Sequence, residues 1–424
     1  MNTQTNSMQG LRELISQSLD QPAKLESLYR QHRRAFQREF NEIYPQIKGN
    51  QVAQTWNERL NFRQEDLFLA NKNELKFVLV SVLLAGLIAK IPDFTGLDPD
   101  YFFPRNIGFV IFPVLIAFFA WRQKLSLKQL VFPTVVLIGS AVYINVLPDQ
   151  SNSDTLILAG IHLPLLLWAV LGFTFLGKEP KSKPKRIDFL RYNGDLVVMC
   201  ALLALSGALF TGITFGLFQL IGILIGEFYA KYVLVFAAPA IPIVGTYLVQ
   251  TNPSLVNRIS PLIARIFTPI VGLMLLLFLG AMCTAVKNPY NDREFLMIFN
   301  ALLIGVMALI VFSVTEATKT GIGKINLLFL CGLALLTIIA NGVALSAIAL
   351  RIAEFGITPN RLAVLGSNVL IFLNLLLVSY KLCMVWRKKE GLEQVEDIIA
   401  AYLPIYGLWT AFVTFLFPLI FNFR

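Results

Sequence analysis

The chain has 424 residues, 56% of them hydrophobic and only 15% charged, with a mean hydropathy of +0.65. A soluble domain is about half apolar and about a quarter charged, so this balance excludes an ordinary soluble protein. The net charge of +10 does not make a nucleic-acid binder: residues 1–76 hold 11 Lys/Arg against 9 Asp/Glu, and the basic excess lies in short loops between apolar runs, where the positive-inside rule places it.

Residues 1–74 read as a cytosolic helical prefix. A short helix is expected over Gln9–Ser18, then Asp20 as an N-cap with Pro22 in the first turn. Leu25, Leu28, Tyr29, Ala35, Phe36, Phe40, Ile43 and Ile47 follow at three-to-four spacing, one apolar stripe ended by Pro45 and Gly49. A third helix over Gln51–Leu69 carries Val52, Trp56, Leu60, Leu67 and Phe68. Acids balance the bases here, which favours helices packed on one another over helices lying on a membrane surface.

From Leu75 onward, apolar runs of about 20 residues recur, the mark of transmembrane helices. Eleven spans are predicted: 75–91, 107–121, 131–148, 155–176, 196–216, 230–249, 262–286, 295–314, 325–350, 361–384 and 398–421. The fold class is therefore all-α, a polytopic membrane domain over 75–424 behind the prefix. Four spans precede a basic loop at 177–195 and seven follow it. The second part of the long run 196–228, Leu217–Phe228, reads as an interfacial or re-entrant piece. With the N-terminus inside, the inner loops hold 17 Lys/Arg and the outer side 8, so the C-terminus falls outside. Lys178 to Arg191 is the strongest anchor.

Catalytic signatures are missing. There is no H-E-x-x-H or G-x-S-x-G, and Gly321-Ile-Gly323-Lys324 lacks the rest of a phosphate loop. Neither an enzyme nor a cofactor is expected. Cys200, Cys283, Cys331 and Cys383 lie in apolar runs without a C-x-x-C pair, which points to buried thiols rather than a disulfide or metal site. His32 lies in the prefix; His162, beside Pro164, reads first as a polar residue satisfied within the bundle. The N-terminus shows no signal-peptide pattern.

Gly212/Gly216 and Gly222/Gly226 form two G-x-x-x-G spacings, suited to close internal helix packing or to a homodimer. Pro239 and Pro242 lie three apart in the sixth span and remove two backbone donors, giving a kink or a broken helix. Asn300, Glu316, Asn326, Asn341, Ser346 and Asn374 are polar residues within spans. Asn341 and Asn374 lie in spans nine and ten, either bonded across the two helices or lining a polar path.

Two outer elements carry arginine at a helix start, where the macrodipole disfavours a cation. One is Asp98-Pro-Asp100-Tyr101-Phe102-Phe103-Pro104-Arg105-Asn106 before span two; the pair Asp98/Asp100 is weak as a cation site. The other is the turn from Arg351 to Arg361. There Glu354 can pair with Arg351, Gly356 suits a left-handed C-cap, Thr358 an N-cap and Pro359 the first helical position. Arg361 then has a structural reading, pairing with a nearby acid, and a functional one, an anion such as a headgroup phosphate or carboxylate.

The F-x-x-R-N opening of the second span and the later R-I-x-E-x-G-I-T-x-N-R resemble a group of bacterial multi-pass membrane proteins, the domain of unknown function 4153 family. The resemblance covers 75–424 and implies a bacterial inner-membrane protein; it supplies no activity and no catalytic residues. The residues themselves suggest a permease-like protein that binds or moves a small anionic or amphipathic molecule or lipid. Arg105, Arg351, Glu354 and Arg361 would stand at its outer mouth, and Pro239, Pro242, Asn341 and Asn374 along its path. A membrane scaffold or sensor whose prefix meets a partner is the alternative.

Overall fold

The computed structural model describes residues 11–31, 33–61, 72–149, 153–252, 259–282, 290 and 293–423. Among them every regular element is a helix. The predicted roles of His32, Leu67, Phe68, Arg258, Cys283, Lys287 and Arg424 fall outside the described residues. The chain divides into two units, Met1–Lys72 and Asn73–Arg424.

The first unit contains α1 (11–17), α2 (Pro22–Gln31), α3 (Arg33–Ile47) and α4 (Gln51–Asn61). Its stripe closes on itself: Ile15, Leu25, Phe36, Phe40 and Ala53 are fully buried and Trp56 nearly so. Tyr29 meets the edges of Phe36 and Trp56 at 5.6 and 5.4 Å. Two local expectations are corrected. Gln21 precedes α2, so Asp20 stands one place too early to cap it, and Pro45 lies inside α3 rather than ending it. Asn50 caps α4, its Oδ1 accepting from the Val52 and Ala53 amides.

The second unit is a bundle of long helices. After α5 (Lys72–Ala89) and the short α6 (Ile91–Thr95) come α7 (Pro99–Arg122), α8 (Leu127–Val146), α9 (Asp154–Leu176) and α10 (Lys183–Leu220). Then follow α11 (Gly226–Thr251), α12 (Ile259–Met282), α13 (Arg293–Thr320), α14 (Lys324–Phe355), α15 (Pro359–Trp386) and α16 (Glu393–Ile420). Ten of these, α7 to α16, are long and apolar enough to cross a membrane. The first predicted span is α5, which carries Lys72, Glu74 and Lys76 in its opening turns and so a shorter apolar stretch. It nonetheless runs antiparallel to α7: Phe77 stacks on Trp121 near one end (5.3 Å), and a nine-residue connection, 90–98, leads from its other end into α7.

Two large cores and two smaller clusters are described in the unit. One large core gathers Val78, Val110, Phe119, Val170, Tyr192 and Ile243 from α5, α7, α9, α10 and α11. The other gathers Leu275, Phe299, Ile310, Leu333, Leu375 and Val395 from α12 to α16. The last helix ties them together: α16 returns onto α9, with Val413 and Phe417 against Leu158, and Tyr143 of α8 donates to the Phe415 carbonyl at 2.7 Å. The four-plus-seven division is thus topological only.

The basic loop is shorter than expected. Only Gly177–Ser182 is irregular; Ser182 caps α10, whose first turn holds Pro184. Lys183 and Lys185 stand against the helix dipole there and are offset by Asp397 (3.5 Å) and Glu179 (3.0 Å). The re-entrant reading of 217–228 is also corrected. α10 continues to Leu220, 38 residues in all, or ~57 Å against a hydrocarbon layer of about 30 Å. The extra length is its polar start, 183–195. Residues 221–225 link it to α11, which opens with a wide π-turn at Tyr229–Leu234. Beyond that turn the helix runs unbroken through Pro239 and Pro242, so the broken sixth span is not formed. The irregular turn lies just upstream of both prolines.

Candidate functional site

The residues of F-x-x-R-N gather at one end of the bundle. Asp98 caps α7 by accepting from the Asp100 amide at 2.9 Å, which gives that acid a structural task in place of the cation role. Pro99 starts the helix, and Phe102, Arg105 and Asn106 turn inward, each under 9% exposed. Asn106 and Asn145 of α8 exchange two amide hydrogen bonds, 2.9 and 2.8 Å, and lock α7 to α8.

Arg105 is 4% exposed. Its guanidinium lies 3.9 Å from the Tyr101 ring centre, Nη1 donates to the Tyr101 carbonyl (3.2 Å) and Nη2 to Asp149 Oδ1 (3.0 Å). Its Nε is buried and has no partner among the described residues. The counter-ion is held loosely: the Asp149 side chain is 68% exposed. Beside this pair a groove of about 480 Å³ runs between the starts of α7 and α9. Arg105, Asp100, Asp149 and Ser153 form its polar end; Ile107, Ile157 and Ile161 form an apolar wall and are all more than half exposed. Gly160 sets its floor, because a Cβ there would lie 2.7 Å from the Pro104 carbonyl oxygen. Ser153 caps α9 (from Leu156 N, 3.2 Å) and donates to the Phe423 carbonyl (2.8 Å), bringing the end of the chain alongside.

The second arginine element behaves differently. Arg361 Nη1 donates to the Phe355 and Gly356 carbonyls, both at 2.8 Å. It therefore caps the C-terminal end of α14, where a cation is favoured, and needs neither an anion nor an acid. Gly356 takes φ +75° and Thr358 accepts from the Arg361 amide (3.4 Å), as the turn chemistry requires. Glu354 is exposed and makes no ion pair with Arg351 among the described contacts; the Arg351 Nε is buried without a partner. None of the three lines the groove. The four residues expected at one outer mouth therefore do not share this groove: Arg105 alone of them lines it.

The predicted path residues also disperse. Asn374 donates to Tyr406 of α16 (2.8 Å), and Asn341, fully buried, has no hydrogen-bond partner on either amide atom among the described residues. Neither they nor Pro239 and Pro242 line the groove at Arg105. A Cβ on Gly212, Gly216 or Gly222 would meet nothing within 4 Å, and one on Gly226 only Phe215 at 3.9 Å, so these glycines do not serve close internal packing. His162 is satisfied by the Leu158 carbonyl (2.9 Å). Cys200, Cys331 and Cys383 are free thiols.

Asp149, Asn145 and Gly160 were not singled out by sequence. Asn145 and Asp149 flank Leu147 and Pro148 where span three ends, and two polar groups there were the available signal.

Fold and composition define the class: an all-α polytopic membrane protein with a separate helical unit at its N-terminal side. No family model matches the chain, and neither a curated protein nor a solved structure matches it.

Proposed function

We propose that the protein is a permease-like membrane protein that takes an amphipathic molecule carrying an anionic group, such as a lipid headgroup phosphate, into the groove at Arg105. The observation that carries this reading is the buried guanidinium with an idle Nε at the polar end of a groove whose wall is exposed apolar side chain. Asp149 occupies Nη2 with one oxygen. A phosphate or carboxylate displacing it would bridge Nη2 and Nε, the bidentate arrangement that guanidinium favours. Asp149 is the partner free to leave, because its side chain is largely solvated while the Arg105 guanidinium is held in place. Asp149 and Asp100 would then face the cationic part of a zwitterion, and Ile107, Ile157 and Ile161 its apolar part. A zwitterionic phospholipid meets all three demands; a small hydrophilic anion leaves the apolar wall and the two acids unused.

The basic loops support an orientation with the N-terminal unit in the cytosol and the groove on the opposite face. A bacterial inner membrane, and membership of the domain of unknown function 4153 group, rest on the two motifs quoted above. The test is lipid retention. Full-length protein and Arg105→Gln are purified from the same mixed-lipid membranes, and bound lipid is counted by native mass spectrometry. Wild type is expected to keep a zwitterionic phospholipid that Arg105→Gln loses by tenfold or more; equal retention refutes the site.

A scaffold or sensor reading draws on the closed core of the first unit, which makes it a module able to meet a partner without the bundle. It predicts that removing residues 1–70 abolishes function while lipid retention at Arg105 persists.

A further inference from the structure

The end of the bundle opposite the groove holds a second polar cluster, built from α10, α12, α13, α14 and α16. Arg191 of α10 binds Glu396 (2.7 Å), Asp188 (3.1 Å) and the Thr315 carbonyl (3.2 Å). Asp195 accepts from Ser260 at 2.6 Å. Next to Thr315 stands Glu316, 1% exposed, one turn before α13 ends. Its neighbouring charges are Asp195 and Arg191 on α10 and Lys319 on its own helix. Arg265 of α12 lines the same space, and Glu396 on α16 is engaged by Arg191. Of the four acids in this cluster, Glu316 is the one with both carboxyl oxygens unbonded among the described residues.

Glu316 lines a small cavity of about 30 Å³ between α12, α13 and α14. Arg265, Thr268, Ser313, Thr320 and Asn326 are its other polar residues, Arg265 Nη2 donating to Thr320 Oγ1 at 3.4 Å; the rest of the wall is apolar. The hydroxyls are already committed: Thr268 donates to the Ala264 carbonyl (2.7 Å) and lies 2.8 Å from Ser313 Oγ. A carboxylate buried without hydrogen bonds costs several kcal/mol, whereas a neutral acid costs far less. A metal cation would need several oxygens turned toward it, and the wall does not offer them. The space is enough for one water.

We propose that Glu316 is a proton-binding site of the membrane unit. The proton arrives from water at the basic end, bonds to one Glu316 carboxyl oxygen and returns to water on release, with no other group changed. The site stands whatever occupies the groove at Arg105.

Infrared difference spectroscopy of the full chain in lipid nanodiscs tests this, reading the carbonyl band of protonated carboxyl groups. Wild type at pH 7, well above the ordinary carboxylate range of about 4, is expected to show such a band, moving in heavy water and unaffected by exchanging sodium for potassium. Glu316→Gln should lose it, and Glu316→Asp should restore it at a shifted position. Should Glu316→Gln fail to fold, as judged by its amide bands, the shift in Glu316→Asp makes the assignment. Absence of the band in wild type, or an identical band in both variants, overturns the proposal. A band that disappears on adding sodium also overturns it, in favour of a metal-cation site.

Discussion

Arg361 and Arg105 both sit near a helix start, and their surroundings give them opposite tasks. Arg361 folds back on the carbonyls that end α14. Arg361→Ala should therefore cost about 1 kcal/mol of stability, seen as a lower melting temperature in detergent, with lipid retention unchanged. Arg105 has an orphaned Nε and a loosely held counter-ion. Arg105→Lys keeps the charge but loses the planar fork and the stacking on Tyr101. It should fold normally yet retain lipid several-fold less well, by the same mass count. The motif drew attention to Arg105 because a cation at a helix start needs a reason. Its partner Asp149 lies 44 residues away, and no periodicity connects the two. Arg361 raised the same question, and its answer, a bond to backbone carbonyls five and six residues back, leaves no mark in side-chain identity.

Helix pairs show where packing departs from pattern. Gly160 brings α9 against the Pro104 carbonyl on α7. Gly160→Ala forces backbone apart, which costs about 1–3 kcal/mol, and should widen the groove; a lower melting temperature together with weakened lipid retention would report both effects. All predicted spans were legible as helices, since a run of about 20 apolar residues has few other uses. Their ends were less so. The stretch 177–195 read as a basic loop, yet Pro184 opens α10, where its missing donor costs nothing. Pro239 and Pro242 suggested a kink or a break, but the helix runs on through both, and the one irregular turn of α11 lies before them at Tyr229–Leu234.

The first unit is a small bundle with its own electrostatics. Burial pushes the Glu39 carboxyl up, but bonds from Arg12 and Arg38 outweigh it and hold the group below the usual carboxylate range. A carboxyl with a lowered folded value stabilises fully above its unfolded value of about 4.3 and loses that contribution as pH falls through the folded value. The helices of this unit should therefore melt more readily in acid, and Glu39→Gln should flatten that dependence, read by hydrogen exchange over α1 and α3 in the full chain.

At the scale of the whole molecule, chemistry separates by end. Basic loops, Arg191 and the buried Glu316 lie at one end of the bundle. The Arg105 groove, the Arg361 turn and the close of α16 lie at the other. With ten long helices from α7 onward and α5 antiparallel to α7, residues 72 and 423 lie at opposite ends of the bundle. Impermeant thiol reagents applied to single cysteines introduced at Lys181 and at Glu354 should label from opposite sides, Lys181 from the cytosol. That sidedness is the expectation drawn from span count and loop charge, and the labelling tests it. Sequence did not reach the fact that only Arg105 of the expected outer residues lines the groove.

The most direct measurement is a high-resolution map of the full chain in nanodiscs of zwitterionic phospholipid. The account predicts headgroup density bridging Nη2 and Nε of Arg105, with Asp149 swung away and an acyl chain along Ile107, Ile157 and Ile161. A map in which Asp149 stays on Arg105 and the groove holds no lipid would contradict it.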